Sequence, residues 1–471
     1  VQTVDDSSAG TSQRVAQIPS SRQPPSTPAV VTNAQLARIS GHEPRRADGE
    51  PPNDPHGAGS GQGRSVPARI LRSLLHAFGD PRVDVVLWNG ERILSPDKTP
   101  VATLRIADSR TLLRLCTDPD IQFGEAYSDG RIQVDGDFEQ MLEEFYRGAD
   151  ASGSVAMARR VVHRLHRKRA NTLQGSRANI HHHYDIGNEF YSLWLGSTMA
   201  YTCAYYPTPQ ASLDEAQLAK MDHVCRKLRL QPGQHVVEAG CGWGALALHM
   251  AQHYGVRVTA FNISREQIAY ARRRAQAAGI GDRVRYVEED YRNIEGSYDA
   301  FVSVGMLEHV GIENYPALGE LINRCLKPDG LGLIHSIGRN RWKPMNRWID
   351  RRIFPGANPP SLKQMMDLFE GCRFSVLDVE NLRLHYACTL RHWHALYEQS
   401  KDRVAQMFDE RFVRMWRLYL LGSIAAFTTG EMQLFQVVFS PGRNNQIPWT
   451  RDDLYQPRSS AVPVVETREE R

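Results

Sequence analysis

At 471 residues the chain is too long for one small core, and its length predicts about two or three folding units of roughly 150 residues each. A formal net charge of +4 is small for that size and excludes the strong overall basicity of a nucleic-acid-coating protein. Seven cysteines, an odd number with irregular spacing and no CxxC pair, exclude a disulfide framework and a structural zinc centre and fit a reduced cytoplasmic setting.

Residues 1–65 are rich in Ser, Pro, Gly and Gln, and no aromatic residue precedes Phe78. Such a segment cannot bury enough apolar surface to offset its ordering entropy, so it reads as a disordered tail. Residues 66–150 predict a small α+β unit. Ile70, Leu71, Leu74 and Leu75 have helical spacing within 68–78. Residues 83–87 and 101–106 read as strands, and Asn89-Gly90 is a hairpin turn signal between apolar runs. A closing helix over 138–146 puts Met141, Leu142 and Phe145 on one side. Residues 151–180 form a linker in which Arg159 to Arg169 place six permanent positive charges in eleven positions. That run suits a solvated connector or a helix lying on anionic lipid.

Residues 181–445 hold the large unit. Strands over 234–239, 256–261, 284–287, 300–304 and 331–336 alternate with helices, the pattern of an α/β doubly wound sheet, which 374–379 and 434–439 would complete. Residues 446–471 are a polar tail. No basic start followed by an apolar core marks a signal peptide. The best apolar run, 418–427, is about half of the 20 residues a spanning helix needs, so work at a membrane would be done from its surface.

The strand at 234–239 leads into Glu238-Ala239-Gly240-Cys241-Gly242-Trp243-Gly244, which opens a helix. Glycines at this turn adopt positive φ and let the backbone approach a ligand. The helix N-terminus favours the carboxylate of a bound amino acid. A dinucleotide site would have GxGxxG with its acid about 20 residues later. Here Glu238 precedes Gly240 by two, and the second strand ends in uncharged Asn262, Ser264 and Gln267 where a ribose would lie. This points to S-adenosylmethionine. Asp290 and Tyr291, ending the third strand, are placed to hold the adenine amino group and face, although Asp290 alone would also suit a helix cap.

Further stretches belong with this loop: His183-Tyr184-Asp185-Ile186-Gly187-Asn188-Glu189-Phe190-Tyr191, Tyr201-Thr202-Cys203-Ala204-Tyr205-Tyr206, Gly305-Met306-Leu307-Glu308-His309-Val310-Gly311, His335-Ser336-Ile337-Gly338 and His385-Tyr386-Ala387-Cys388-Thr389-Leu390. Together they resemble the cyclopropane-fatty-acyl-phospholipid synthases, including the mycolic acid cyclopropane synthases, over most of 66–445. The resemblance implies a Rossmann-like class I methyltransferase domain behind a smaller lipid-binding-like α+β domain. It implies methylene transfer from S-adenosylmethionine to the cis double bond of an unsaturated phospholipid acyl chain. It adds Tyr201 and Thr202 to the expected donor contacts of Glu238, Gly240, Cys241, Gly242, Gly244, Asn262, Ser264, Gln267, Asp290 and Tyr291. It also implies a bicarbonate base caged by Cys203, Glu308, His335, Ile337 and Tyr386, with Cys203 and Ile337 acting through backbone N–H groups. No metal is expected: His181, His182 and His183 are adjacent, so their side chains diverge, and His183 is read as ordering a lid over the donor.

Two departures from the family stand in the late helix: Ser423 where a cysteine is common, and Thr428 where an arginine is expected. They leave a methylene- or methyl-branched product open beside the ring. The same catalytic pattern would also suit a small-molecule N-methyltransferase, or a lipid-binding protein with an inactive catalytic domain. Residues 339–352 mix Trp342, Trp348 and Ile349 with five arginines and Lys343, which suits an anionic membrane surface better than nucleic acid. The resemblance further implies a homodimer on the inner face of the cell membrane.

Overall fold

The computed structural model describes residues 65–96, 99–151 and 186–455. The expectations for the N-terminal tail, the basic linker and His181–His183 lie outside these residues.

The N-terminal unit runs α1 (Val66–Ala77), β1 (Val83–Val86), β2 (Arg92–Ile93), β3 (Ala102–Ile106), α2 (Ser109–Thr117), α3 (Pro119–Ser128), β4 (Ile132–Gly136) and α4 (Phe138–Ala151). Its sheet has the order β2-β1-β3-β4, with β1 and β3 parallel and the outer pairs antiparallel. Local chemistry starts the helices. Ser65 caps α1 through the Ala68 N–H at 3.2 Å, and Asp108 caps α2 through the Thr111 N–H at 2.7 Å. Gly90, at φ 82°, makes the β1–β2 hairpin where Asn89-Gly90 predicts it. The sequence reading missed α2, α3 and β4, which are short and bury only a few residues each.

The large unit runs α5 (Asn188–Ser192), α6 (Leu213–Lys227), β5 (His235–Ala239), α7 (Ala245–Tyr254), β6 (Arg257–Asn262), α8 (Arg265–Ala277), β7 (Val284–Glu288), β8 (Tyr298–Val304), α9 (Tyr315–Cys325), β9 (Leu326–Gly338), α10 (Arg347–Arg352), α11 (Leu362–Glu370), β10 (Phe374–Asn381), α12 (Arg383–Gln399), α13 (Lys401–Met407), α14 (Glu410–Thr429) and β11 (Gln433–Pro441). The seven-stranded sheet has the order β10-β11-β9-β8-β5-β6-β7. The five strands from β9 to β7 are parallel, and β11 and β10 add an antiparallel edge. The predicted doubly wound sheet is thus present. Its order reverses between β5 and β8, and open sheets of this kind bind ligands outside the carboxyl ends of the strands at such a switch point. The glycine loop leaves β5 there, and residues 305–309 leave β8 beside it.

Helix α14 packs along α12 and reaches α3 and α4 of the N-terminal unit. One apolar core runs through both units, from Ala68 and Ile132 to Trp194, Trp393 and Trp416. Arginines fix the boundary. Arg347 pairs with Asp118 at 2.5 Å, Arg352 with Glu125 at 2.6 Å, Arg411 with Glu125 and Asp129 at 2.7 Å each, and Arg391 with Glu139 at 2.6 Å. Arg414 lies 4.2 Å over the Tyr127 ring. Trp348 is buried against Gly124, where an added Cβ would come within 2.4 Å of the indole nitrogen.

This corrects part of the reading of residues 339–352 as a membrane-facing stretch, of which Arg341, Trp342 and Arg351 stay exposed. Trp348 faces the N-terminal unit, and Arg347 and Arg352 neutralise its carboxylates. Arg339 is buried and donates to the carbonyls of Lys343 and Pro344, while Lys343 pairs with Glu431. Composition alone cannot tell a cationic surface from a cationic joint, because the partners lie more than 80 residues away in the chain.

Candidate active site

The donor half is built from one strand, one loop and one helix. Gly240, Gly242 and Gly244 have φ of 84°, 52° and 79°. The N–H groups of Gly240 and Cys241 both donate to the Phe261 carbonyl, at 2.9 and 3.0 Å, which folds the loop across the end of β6. The glycines serve different needs. A Cβ on Gly244 would lie 2.5 Å from the Tyr286 hydroxyl and 2.8 Å from Ala271 Cβ, so close packing requires glycine there. A Cβ on Gly242 would meet nothing within 4 Å, leaving open space in front of the α7 N-terminus. Glu238, ending β5, is buried with its Oε2 lacking a hydrogen-bond partner, and burial pushes its carboxyl up to about 8 against the pull of Lys220.

The end of β6 is held by its own side chains. Asn262 Nδ2 donates to the Gly242 carbonyl at 3.2 Å and to Gln267 Oε1 at 2.7 Å. Ser264 caps α8 by accepting the Gln267 N–H at 3.4 Å. These three residues therefore hold one another in place at the end of β6. Asp290 is buried and accepts the Arg292 N–H at 3.0 Å, so it does cap the short turn at 291–293. It presents Tyr291 beside it, with the Arg292 guanidinium 5.4 Å from that ring.

The acceptor half is assembled from distant segments. Glu308 follows β8; its Oε1 accepts the Ile337 N–H at 2.5 Å, and its Oε2 is buried with no partner. Burial pushes this carboxyl up to about 7, against backbone donors that pull it down. His335, two residues before Ile337 on β9, is buried, and burial together with Lys220 and Lys227 holds it well below its ordinary value and hence neutral. Gln436 Nε2 lies 3.1 Å from His335 Nδ1; donating there, it leaves the ring proton on Nε2.

Backbone links tie the segments that carry Cys203 and Tyr386 to β11, next to Ile337. Leu434 on β11 is the register partner of Ile337. Its carbonyl accepts the Leu382 N–H at 2.9 Å, and the Leu382 carbonyl accepts the Tyr386 N–H at 3.1 Å. The Cys203 thiol lies 3.9 Å from that same Leu382 carbonyl. Burial pushes the thiol well above its usual range, which favours the protonated form over a nucleophilic thiolate. The Tyr386 ring packs on Phe427, 4.6 Å between centroids.

The two halves meet at the loop carrying Tyr201, Thr202 and Cys203. A Cβ on Gly305 would lie 3.1 Å from Thr202 Cγ2, and one on Gly240 would lie 3.1 Å from Met306 Cβ. Tyr201 sits among Tyr191, Trp194 and Trp393 at 5.4, 5.3 and 5.4 Å, and its hydroxyl is 2.8 Å from that of Tyr419.

Sequence reasoning missed the clamp on this loop. From the buried face of α6, Gln217 Nε2 donates to the Thr202 carbonyl at 2.8 Å, and Lys220 Nζ donates to Thr202 Oγ1 at 2.9 Å. Burial pulls the Lys220 ammonium down to about 8. The signal was a polar stripe at Gln217, Lys220, His223 and Lys227, which by pattern alone reads as a solvated helix face. Trp243 of the glycine loop likewise donates to Asn188 Oδ1 at 2.7 Å, tying the loop to α5. Among the described residues, no group of His, Cys, Asp and Glu forms a metal site.

The profile of the mycolic acid cyclopropane synthetase family matches residues 171–437, and one described only as a domain of unknown function matches 70–154. A probable fatty acid methyltransferase of Pseudomonas putida is 35% identical over 383 residues, covering 79% of this chain and 95% of that protein. The cyclopropane-fatty-acyl-phospholipid synthase of Escherichia coli K12 is 33% identical over 356 residues, covering 73% and 89%. Among solved structures, the mycolic acid cyclopropane synthase CmaA1 complexed with SAH and CTAB is 31% identical at a TM-score of 0.53, covering 56% of this chain and 97% of that one. With the glycine loop at the switch point of a doubly wound sheet, these likenesses make the chain a member of the mycolic acid cyclopropane synthetase family, and thus an S-adenosylmethionine-dependent methyltransferase of the cyclopropane synthase kind.

Proposed function

We propose that the enzyme transfers a methylene group from S-adenosylmethionine to the cis double bond of unsaturated phospholipid acyl chains, with bound bicarbonate as the base. The observation that carries the reading is Glu308, whose Oε2 is buried without a donor at the carboxyl end of the sheet. Leaving such an oxygen without its hydrogen bond costs about 1–3 kcal/mol. A small oxyacid offering one hydroxyl and accepting at its other oxygens fits this carboxylate beside a neutral His335. Glu308 would hold the hydroxyl. His335 Nε2–H, the Tyr386 hydroxyl and the Cys203 N–H would donate. The Ile337 N–H is already engaged by Glu308, so its part is to orient that carboxylate until the guest competes for it. When bound, bicarbonate supplies a base that takes a proton without being alkylated.

The rest falls to the chain's own residues. An alkene is a weak nucleophile, so the loop of Tyr201 and Thr202 must align it with the sulfonium methyl. The methyl moves to one alkene carbon as its bond to sulfur breaks, the electron pair staying on sulfur. The neighbouring carbon becomes cationic, a proton leaves the new methyl, and the carbon–carbon bond closes the ring. Water would trap the cation, and the buried wall of Trp194, Trp393 and Trp416 supports a dry pocket. Glu238, held above the usual carboxylate range by burial, would face the donor ammonium.

The Escherichia coli relative acts on phospholipid by its name, which supports that substrate, and the resemblance supports a homodimer at the membrane face. A branched product is the second reading, favoured by Thr428. Its hydroxyl accepts from Arg391 of α12 at 3.1 Å, where the resemblance implies an arginine on α14 itself. Purified enzyme with donor, bicarbonate and unsaturated phospholipid should give lipids heavier by one methylene, with the alkene gone and proton signals upfield of tetramethylsilane. Alkene left untouched would remove the proposal; added mass without upfield signals would favour branching.

A further inference from the structure

Three of the six cations of residues 339–352, Lys343, Arg347 and Arg352, pair with Glu431, Asp118 and Glu125. A different cationic surface stands outward on the N-terminal unit. Helices α1 and α2 pack on each other and turn Ala68, Leu71, Leu112 and Leu115 inward. Their outer faces carry Arg69, Arg72, Arg110 and Arg114, all exposed. Between them stand Val66, Ile70 and Leu113, exposed by 57%, 38% and 60%. Neither helix contains an Asp or Glu. Among the described residues, no carboxylate forms an ion pair with any of these four guanidiniums.

The nearest acids face other groups. Asp108 caps α2 and pairs with Arg131 at 3.1 Å, Asp80 pairs with His76 at 2.9 Å, and Glu91 accepts the Ser65 N–H at 3.2 Å. That last bond holds the β1–β2 hairpin tip, with Trp88 38% exposed, beside the start of α1. An ordinary soluble surface intersperses both signs of charge. Arginines of one sign around protruding aliphatic tips instead suit a layer that takes charge at its surface and apolar groups just beneath.

We propose that the outward face of α1 and α2 docks the protein on an anionic phospholipid bilayer. The inference rests on the lipid substrate proposed above. It assigns the contact to the N-terminal unit, which α3 and α4 then connect to α14 of the catalytic unit. No described helix is long and apolar enough to cross a membrane, so docking on this face is peripheral.

The test uses the full chain and vesicles of unsaturated phosphatidylglycerol with phosphatidylcholine, against phosphatidylcholine alone. Wild type should co-sediment with the anionic vesicles and weaken as salt rises. Replacing Arg69, Arg72, Arg110 and Arg114 together by Gln should lower vesicle partitioning by about a thousandfold. Leu113→Asp should also weaken it while leaving the circular dichroism spectrum and melting temperature unchanged. Both variants should keep wild-type turnover on the same lipid dispersed in detergent. Wild-type vesicle binding by the four-Gln variant would overturn the assignment. So would a change in oligomeric state on light scattering, which would make this face a protein interface. Loss of methyl transfer to both vesicle and dispersed lipid by wild type would instead sink the substrate reading.

Discussion

The donor and acceptor halves of the site are built on opposite plans. The donor half comes from about 50 consecutive residues, Glu238 to Tyr291, and most of its polar groups satisfy one another: Asn262 with Gly242 and Gln267, Ser264 with α8, Asp290 with Arg292. The proposed acceptor half draws Cys203, Glu308, His335 and Tyr386 from four separate segments. Each half keeps one buried carboxylate oxygen without a partner, on Glu238 and on Glu308, but only the acceptor half adds a histidine forced neutral. A pocket that only grips a ligand can be finished in advance. One that must move a proton holds groups whose ionisation is poised, and such groups are costly when buried.

Glu308→Gln should break this contrast most sharply. It keeps the shape and removes the acceptor, so turnover should fall about 10²–10⁴-fold while calorimetry finds donor affinity unchanged. Undiminished turnover would end the bicarbonate account. The same variant carries a pH signature. Glu308 titrates at about 7 in the folded protein, above the ordinary 4.5. Stability from that group is therefore fully present below pH 4.5 and is lost as pH rises through 7. Melting temperatures of wild type should fall relative to Glu308→Gln between pH 4.5 and 7, and run parallel above it.

Lys220→Met tests whether the halves share a part. Thr202 would lose a hydrogen bond from a charged group, worth about 1.5–3 kcal/mol. Because Thr202 adjoins both Tyr201 and Cys203, donor KM should rise and kcat should fall together, by about tenfold each. A fall in melting temperature with both constants unchanged would make Lys220 a residue of the fold alone.

The smallest effect separates two glycines within the donor half. Gly244→Ala pushes a methyl into Tyr286 and Ala271 and should cost about 1–3 kcal/mol of stability, read by denaturant unfolding. Gly242→Ala meets no protein atom within 4 Å, so it should weaken donor affinity with less effect on stability. Unchanged donor affinity in Gly242→Ala would show that the space beside Gly242 is not where the donor lies.

Features whose physics is local were legible in the chain alone. The alternation of strands and helices, the hairpin at Asn89-Gly90 and the glycine loop after β5 each follow from neighbours a few residues apart, and each stands where the pattern put it. The residues of the acceptor half were legible only through resemblance, because nothing nearby in the chain marks Tyr386 or Cys203 as partners of Glu308. What the charges do depended on the folded arrangement. The polar stripe of α6 faces inward, because Thr202 and Glu380 lie there to receive Lys220 and Lys227. Arg347 and Arg352 became a joint, while the arginines of α1 and α2 stayed exposed. A cationic side chain has the same pattern in either setting; only the position of a carboxylate far along the chain settles whether it is paired or free.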